Sequence, residues 1–327
     1  MGERAPQLAS VTVVIPCWNA EAWVGEAIAS ALDQPGAAPD VFVVDDGSTD
    51  RTLEVVRSFG DRIRWISGPN CGVSAARNRG VSATSSEWIV FLDADDLLAP
   101  GTLSARLDVA ASGAADVVVC DWREFADDGD RSGGLGKTFD MGAVADDAEL
   151  ACAIQVWATT SALMYRRAIV ERAGGFREDF PVIEDARFLF DVARQGARFA
   201  RSDHVGAFYR VRPQSLSRAD KQRFWRCVLR NAAQIEAIWR ADDALSPDRR
   251  RAIADIYNGA ASALFRAKDR QFADAIGRLR ASKLALTARN RLALALSTMF
   301  GLGFAADLAN RWTDLRRSAA PAGPSRA

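Results

Sequence analysis

The 327-residue chain has one histidine, His204, and five cysteines with no pair at C-x-x-C spacing. That argues against a Cys/His zinc cluster, and reduced thiols of a cytosolic protein are the expectation. No apolar core of signal-peptide length occurs in the opening MGERAPQLAS. The longest apolar run, Leu292 to Ala306, includes Ser297 and Thr298 and falls short of the roughly 20 residues that span a bilayer. Net charge is absent as well: 42 basic and 42 acidic residues cancel, which argues against a nucleic-acid coat. The balance is uneven along the chain. From Ala261 onward there are twelve basic residues and four acids, so a basic end follows an acidic body.

What is present is a 49% hydrophobic, 26% charged composition, ordinary for a globular protein. Short apolar runs at Val11–Ile15, Val41–Val44, Arg64–Ile66, Trp88–Leu92 and Val117–Cys120 read as strands, most of them covered on both faces. Helical patterns at Glu21–Leu32, Thr52–Phe59 and Gly101–Ala111 lie between them. This alternation predicts α/β architecture with a mostly parallel sheet, whose ligand edge lies at the strand C-termini. From Asp220 to Arg317 the periodicity is helical, with Ser246–Pro247 suited to open one helix. The boundary is expected near Ser215–Lys221, and residues 318–327 read as a disordered tail.

Four features fall at predicted strand ends. PCWNAEAW follows the first strand: Pro16 is expected to end it and Asn19 to cap the next helix, while Trp18 suits either core or a platform for a planar ring. No G-x-G-x-x-G is present there. VVDDGSTDRT places Asp45 and Asp46 at a buried strand end; a turn former accounts for one of them, and a carboxylate that accepts from a base N–H or ribose hydroxyls suits a nucleotide, while Ser48 or Thr49 is expected to cap the helix. In WIVFLDADD, Asp93, Asp95 and Asp96 crowd three carboxylates into four residues, at roughly 4 kcal/mol per close pair for an effective dielectric near 20. That predicts a compensating cation, and a hard divalent ion with phosphate oxygens fits; Asp93 and Asp95 would share a side if extended. Glu184 and Asp185 open a helix, where acids stabilise the N-terminus or one acts as a general base. RSGGLGKT (Arg131–Thr138) ends like a phosphate loop, but it lacks the first glycine and the preceding strand, so a plain loop is expected. DADDL likewise lacks the companions of a dehalogenase-type phosphatase motif.

Taken in order and spacing, VTVVIPCWNAEAWVGEAIASALDQ, VFVVDDGSTDRT, GPNCGVSAARNRGVSATSSEWIVFLDADD, the GGF at Gly174–Phe176 and Glu184–Asp185 resemble a family 2 glycosyltransferase of the GT-A fold, over about Val11 to Ser217. The resemblance implies a GT-A-like domain over 1–217; the helical periodicity gives the region that follows it, over 218–317. It implies inverting, metal-dependent transfer (Mn²⁺ or Mg²⁺) from a nucleotide-sugar, UDP first, to a saccharide or lipid-linked saccharide in glycoconjugate synthesis. By the same resemblance Pro16, Trp18, Glu21 and Asp46 would line the nucleoside pocket, with Arg77 approaching the nucleotide. Asp93 would lie near ribose, Asp95 would be the direct metal ligand, Asp185 the base, and Glu184 its support. The family often carries a histidine where YRVRPQSLS has Arg212; arginine cannot ligate a metal but can contact phosphate. Two other classes remain open at this level: a nucleotidyltransferase, and an inactive nucleotide-binding module. No nucleic-acid partner is expected, and the location is the cytoplasm. The basic end admits peripheral contact with the membrane's cytoplasmic face or a solvated face on a helical bundle.

Overall fold

The computed structural model describes residues 10–126, 139–212 and 220–318. The Arg131–Thr138 loop, most of the expected boundary and the 319–327 tail lie outside them. The chain divides into two compact units, 1–215 and 216–327.

The first unit runs β1 (Val11–Cys17), α1 (Val24–Leu32), β2 (Asp40–Asp45), α2 (Thr52–Arg57), β3 (Arg64–Ser67), α3 (Val73–Ser82), β4 (Trp88–Phe91), β5 (Leu97–Leu98), α4 (Thr102–Ser112), β6 (Val117–Phe125), α5 (Met141–Asp146), α6 (Ala148–Leu150), β7 (Leu163–Arg166), α7 (Arg167–Ala173), α8 (Glu184–Arg194) and β8 (Phe199–Arg210). The strands form one sheet in the order β3-β2-β1-β4-β7-β6-β8-β5. The β3-β2-β1-β4 half is parallel, as the alternation of strands and helices predicts. The other half is mixed: β7 pairs antiparallel with both β4 and β6, and β5 with β8, while β6 and β8 are parallel.

Alternation along the strands divides the core into two layers. Val13, Ile15, Val41, Val43 and Val90 pack under α1 and α4. Val14, Phe42, Val44, Ile89 and Phe91 face the other way, against Phe176 and Phe188. The Phe176 and Phe188 rings stack 4.1 Å apart. At Gly80 a Cβ would stand 2.3 Å from Val14 Cγ1, so α3 lies directly on β1.

Several local expectations change. Pro16 does not end β1, which runs on to Cys17 with Pro16 opposite Val44. Residues 10 and 14 direct their carbonyls at β4, so Pro16 faces that side too. The β4 register stops at Val14–Phe91, so Pro16 stands past the end of that pairing. Asn19 does not cap α1, which begins at Val24 instead of Glu21. It sits at φ +48 and accepts from the Thr49 N–H at 2.8 Å. Neither Ser48 nor Thr49 caps α2; the Asp50 carboxylate accepts from the Thr52 N–H and hydroxyl.

The second unit is helical: α9 (Lys221–Ala241), α10 (Pro247–Arg266), α11 (Gln271–Ala281), α12 (Ala288–Phe300) and α13 (Leu302–Ser318). Ser246 caps α10, accepting from the Arg249 N–H, with Pro247 in the first turn. Trp239, Tyr257, Leu264 and Leu279 are fully buried, and the Tyr257 hydroxyl donates to Glu236 at 2.7 Å.

Candidate active site

The loops after β1 and β2 are stitched together. The Asn19 N–H donates to Ser48 Oγ, the Ala20 N–H to Thr52 Oγ1, and the Arg51 N–H to Glu21 Oε2. Glu21 thus holds the α2 entry from across the gap. Pro16 is buried in its strand, while the Trp18 indole beyond it is 55% exposed. The two aspartates ending β2 divide their work. Asp45 forms the turn, accepting from the Ser48 N–H and the Ser67 hydroxyl. Asp46, also buried, accepts from the Cys71 and Gly72 N–H groups at the start of α3 and pairs with Arg79. Gly47 permits this approach, since at φ +78 a Cβ would stand 2.8 Å from the Asn70 nitrogen.

Asp93 to Asp96 do not form an extended segment. The Asp96 N–H donates to the Asp93 carbonyl at 3.0 Å, which closes a turn and gives each carboxylate separate partners. Asp93 accepts from Arg77 Nη2 at 2.7 Å and from the Thr160 hydroxyl at 3.3 Å. Asp95 pairs with Arg212, whose guanidinium lies 4.1 Å from the Trp23 ring centroid. Asp96 accepts from the Thr159 hydroxyl and the Arg210 N–H. The cation demanded by three crowded acids is therefore partly built into the chain as Arg77 and Arg212. Burial still pushes the Asp95 carboxyl upward, aided by Asp93 and opposed by Arg212, and it pushes Asp96 well above the ordinary carboxylate range.

Arg77 is the centre of the cluster. It is fully buried on α3, its Nη1 donates to Glu184 at 2.9 Å and its Nη2 to Asp93, and its guanidinium faces the Phe176 ring at 4.8 Å. It joins the loop after β4 to the start of α8. Burial raises the Glu184 and Asp185 carboxyls; the Arg77 charge opposes the rise in both. Asp185 accepts from the Ala186 N–H at 2.7 Å. The residue before the pair, Ile183, stands at φ +61. A β-branched side chain there is strained, and the strain sits where the acidic pair leaves the loop. Asp185 also lines a pocket with Trp157, Thr160, Tyr165, Phe176 and Phe188.

Arg77, Asp93 and Glu184 are thus in direct contact, with Asp95 and Asp185 beside them through charge. Trp18, Glu21 and Asp46 occupy the neighbouring loop ends of β1 and β2. Thr159, Thr160, Ile183 and Trp157 escape the sequence reading. The only trace of the threonines is a polar TTS just before a buried strand, and nothing marks Ile183 as left-handed. Arg210 is visible in YRVR, but its role as a backbone donor to Asp96 is not.

Asp93 and Asp95 offer the hard oxygen donors that Mg²⁺ or Mn²⁺ takes together with phosphate oxygens and water, and Asp95 already accepts a cationic partner in Arg212. Among the described residues no three His, Cys, Asp or Glu side chains converge on one point. The residues fit a metal shared with a bound diphosphate, not one caged by protein alone.

Residues 12–172 match the family model of glycosyl transferase family 2. Among curated proteins, the chain is 28% identical over 218 residues to the uncharacterized glycosyltransferase EpsJ of Bacillus subtilis, covering 63% of this chain and 62% of that one. It is 30% identical over 217 residues to the succinoglycan biosynthesis protein ExoO of Rhizobium meliloti, covering 64% and 62%. The matched region thus spans about three fifths of those relatives' length. The fold is similar to that of S. aureus TarS 1–349 in complex with UDP-GlcNAc, with a TM-score of 0.65, 18% identity, and 93% and 92% of the chains covered. It is also similar to the mannosyltransferase PcManGT of Pyrobaculum calidifontis in complex with GDP-Man and Mn²⁺, with a TM-score of 0.52, 22% identity, and 94% and 88% covered. Just under half of the chain is thus similar to glycosyl transferase family 2, and the fold is GT-A-like.

Proposed function

We propose, from that similarity and the geometry of the site, that the chain is an inverting glycosyltransferase that moves a sugar from a nucleoside-diphosphate sugar to a hydroxyl of a saccharide or lipid-linked saccharide. The observation that carries this reading is Arg77, which ties Asp93, on the donor side, to Glu184 beside Asp185. One buried guanidinium sets the spacing between leaving group and base.

Trp18 presents an exposed face to the nucleoside ring. Asp46 holds the start of α3 against that pocket. Asp93 and Asp95 would hold a divalent metal, which neutralises charge developing on the departing diphosphate. Arg212, released from Asp95, would be free to meet phosphate. On the opposite face of the sugar, Asp185 takes the proton of the acceptor hydroxyl as the new bond to the anomeric carbon forms and the glycosyl–phosphate bond breaks. Burial raises the proton affinity of the Asp185 carboxyl, and the Arg77 charge opposes the rise. The aromatic pocket beside Asp185 suits the apolar face of an acceptor sugar. UDP is the proposed nucleotide, with GDP its rival.

Asp185→Asn is expected to keep nucleotide binding and lower transfer at least ~100-fold. The acid limb of kcat/KM in the parent enzyme should fall above the usual aspartate range and vanish in the variant. Melting with UDP, GDP, dTDP and ADP, each with and without Mn²⁺, names the donor class. Unchanged turnover in Asp185→Asn removes it as the base, and no shift with any nucleotide overturns the donor site.

A further inference from the structure

Helices α12 and α13 turn several of their large apolar side chains outward. On α12, Asn290 and Ala293 are buried, while Leu292 is 61% and Met299 71% exposed. Seven residues apart, Leu292 and Met299 lie on one line of the helix, and Arg289 and Arg291 flank them. A helix packed on a bundle ordinarily buries leucine and exposes asparagine; here the order is reversed, and the cause is a polar clamp. Asn290 Nδ2 donates to the carbonyl and Oδ1 of Asn258, both at 2.9 Å, and Asn290 Oδ1 accepts from Ser262 at 2.8 Å. Rolling α12 to bury Leu292 would strand those groups, so the clamp holds the leucine face outward.

The apolar face continues past the corner at Gly301 (φ +81). The Phe300 and Phe304 rings stand 5.7 Å apart across it, and Leu308 extends the line one turn along α13, both Phe304 and Leu308 being exposed. Around this apolar line α12 carries no acid. Arg289, Arg291 and Arg311 are exposed and make no ion pair among the described residues; Asp307 is taken by Lys268 at 2.6 Å. No helix among the described residues is long and apolar enough to cross a membrane.

We propose that α12 and α13 lie flat on an anionic phospholipid bilayer. Leu292, Met299, Phe300, Phe304 and Leu308 enter the boundary between headgroups and acyl chains, and the three arginines meet lipid phosphates. An outward apolar line rimmed by unpaired arginines is the pattern of an interfacial helix. The same charges disfavour a second copy as occupant, since a symmetric contact would set this basic end against itself. The inference stands on this surface alone and is independent of the transferase reading.

The test is co-sedimentation of the full chain with phosphatidylcholine vesicles, with and without phosphatidylglycerol. Pelleting with the anionic vesicles is expected, weakening as salt rises. Arg289→Gln/Arg291→Gln/Arg311→Gln should lower the partition about 100-fold, at about fivefold per arginine. Leu292→Ser/Phe304→Ser should lower it about tenfold or more. Both variants change exposed side chains, so their melting should match the parent. Pelleting that neither variant weakens, or none with anionic vesicles, overturns the proposal. So does a dimer in light scattering that Leu292→Ser/Phe304→Ser disperses, which would assign the face to a second copy.

Discussion

Arg77 serves two ends. It is buried between Asp93 and Glu184, and its own proton is held more tightly because of them, against the desolvation that burial imposes. Removing one member of such a cluster leaves uncompensated charge inside the protein. Arg77→Met, close in shape and apolar, should therefore destabilise the first unit by about 3–5 kcal/mol in denaturant unfolding. It should also release α8 from the loop after β4, with loss of transfer; retained stability would mean the carboxylates find other partners. Arg212 is the opposite case. Its partner Asp95 is partly exposed and is the proposed metal ligand, so the arginine and a metal compete for one carboxylate. Arg212→Ala should tighten Mn²⁺ binding in the absence of nucleotide, measured by calorimetry, and weaken UDP binding once Mn²⁺ is saturating. Weaker Mn²⁺ binding without nucleotide would contradict that competition. The acids at these positions were legible in the sequence because three carboxylates in four residues demand an explanation. Their arginine partners come from α3 and from beyond β8, at separations no local pattern reveals.

At the scale of elements, the parallel half of the sheet was legible because β1, β2 and β4 are continuous apolar runs that suit a doubly covered sheet. The antiparallel insertion of β7 between β4 and β6 was not. Short strands of either direction look alike when both faces are buried, and β7 (LMYR) follows a segment with no strong period. Asn19, suited by type to cap α1, instead accepts from the Thr49 N–H of the next loop, since a capping residue is free to serve a distant backbone; α2 starts at Thr52 as expected, with Asp50 at its entry in place of Ser48 or Thr49. Glycines show how context sets the sign of one substitution. Gly80→Ala drives a methyl into Val14 and should cost about 1–3 kcal/mol. Gly277, exposed within α11 with nothing near its absent Cβ, should gain about 0.5–1 kcal/mol as alanine. Both are read from unfolding curves, and equal effects would mean that α3 does not rest on β1 as closely as the geometry requires.

At the scale of the whole molecule, each of the two units has its own interior. The first is built on the two faces of one sheet, and the second on Trp239, Tyr257 and Leu264 among its helices. All the nucleotide and metal chemistry argued above belongs to the first, so ligand should act on that unit alone. Calorimetry of the full chain is expected to resolve two transitions. UDP with Mn²⁺ should raise only one, by about 2.7 kcal/mol at a hundred times Kd, and Gly80→Ala should lower that same one. The other transition should respond to Gly277→Ala and to neither ligand nor Gly80→Ala. A single transition moved by all of these would mean that the units unfold as one, and stabilising the site would then also stabilise the proposed membrane surface; two independent responses leave catalysis and membrane docking free to vary separately within one chain.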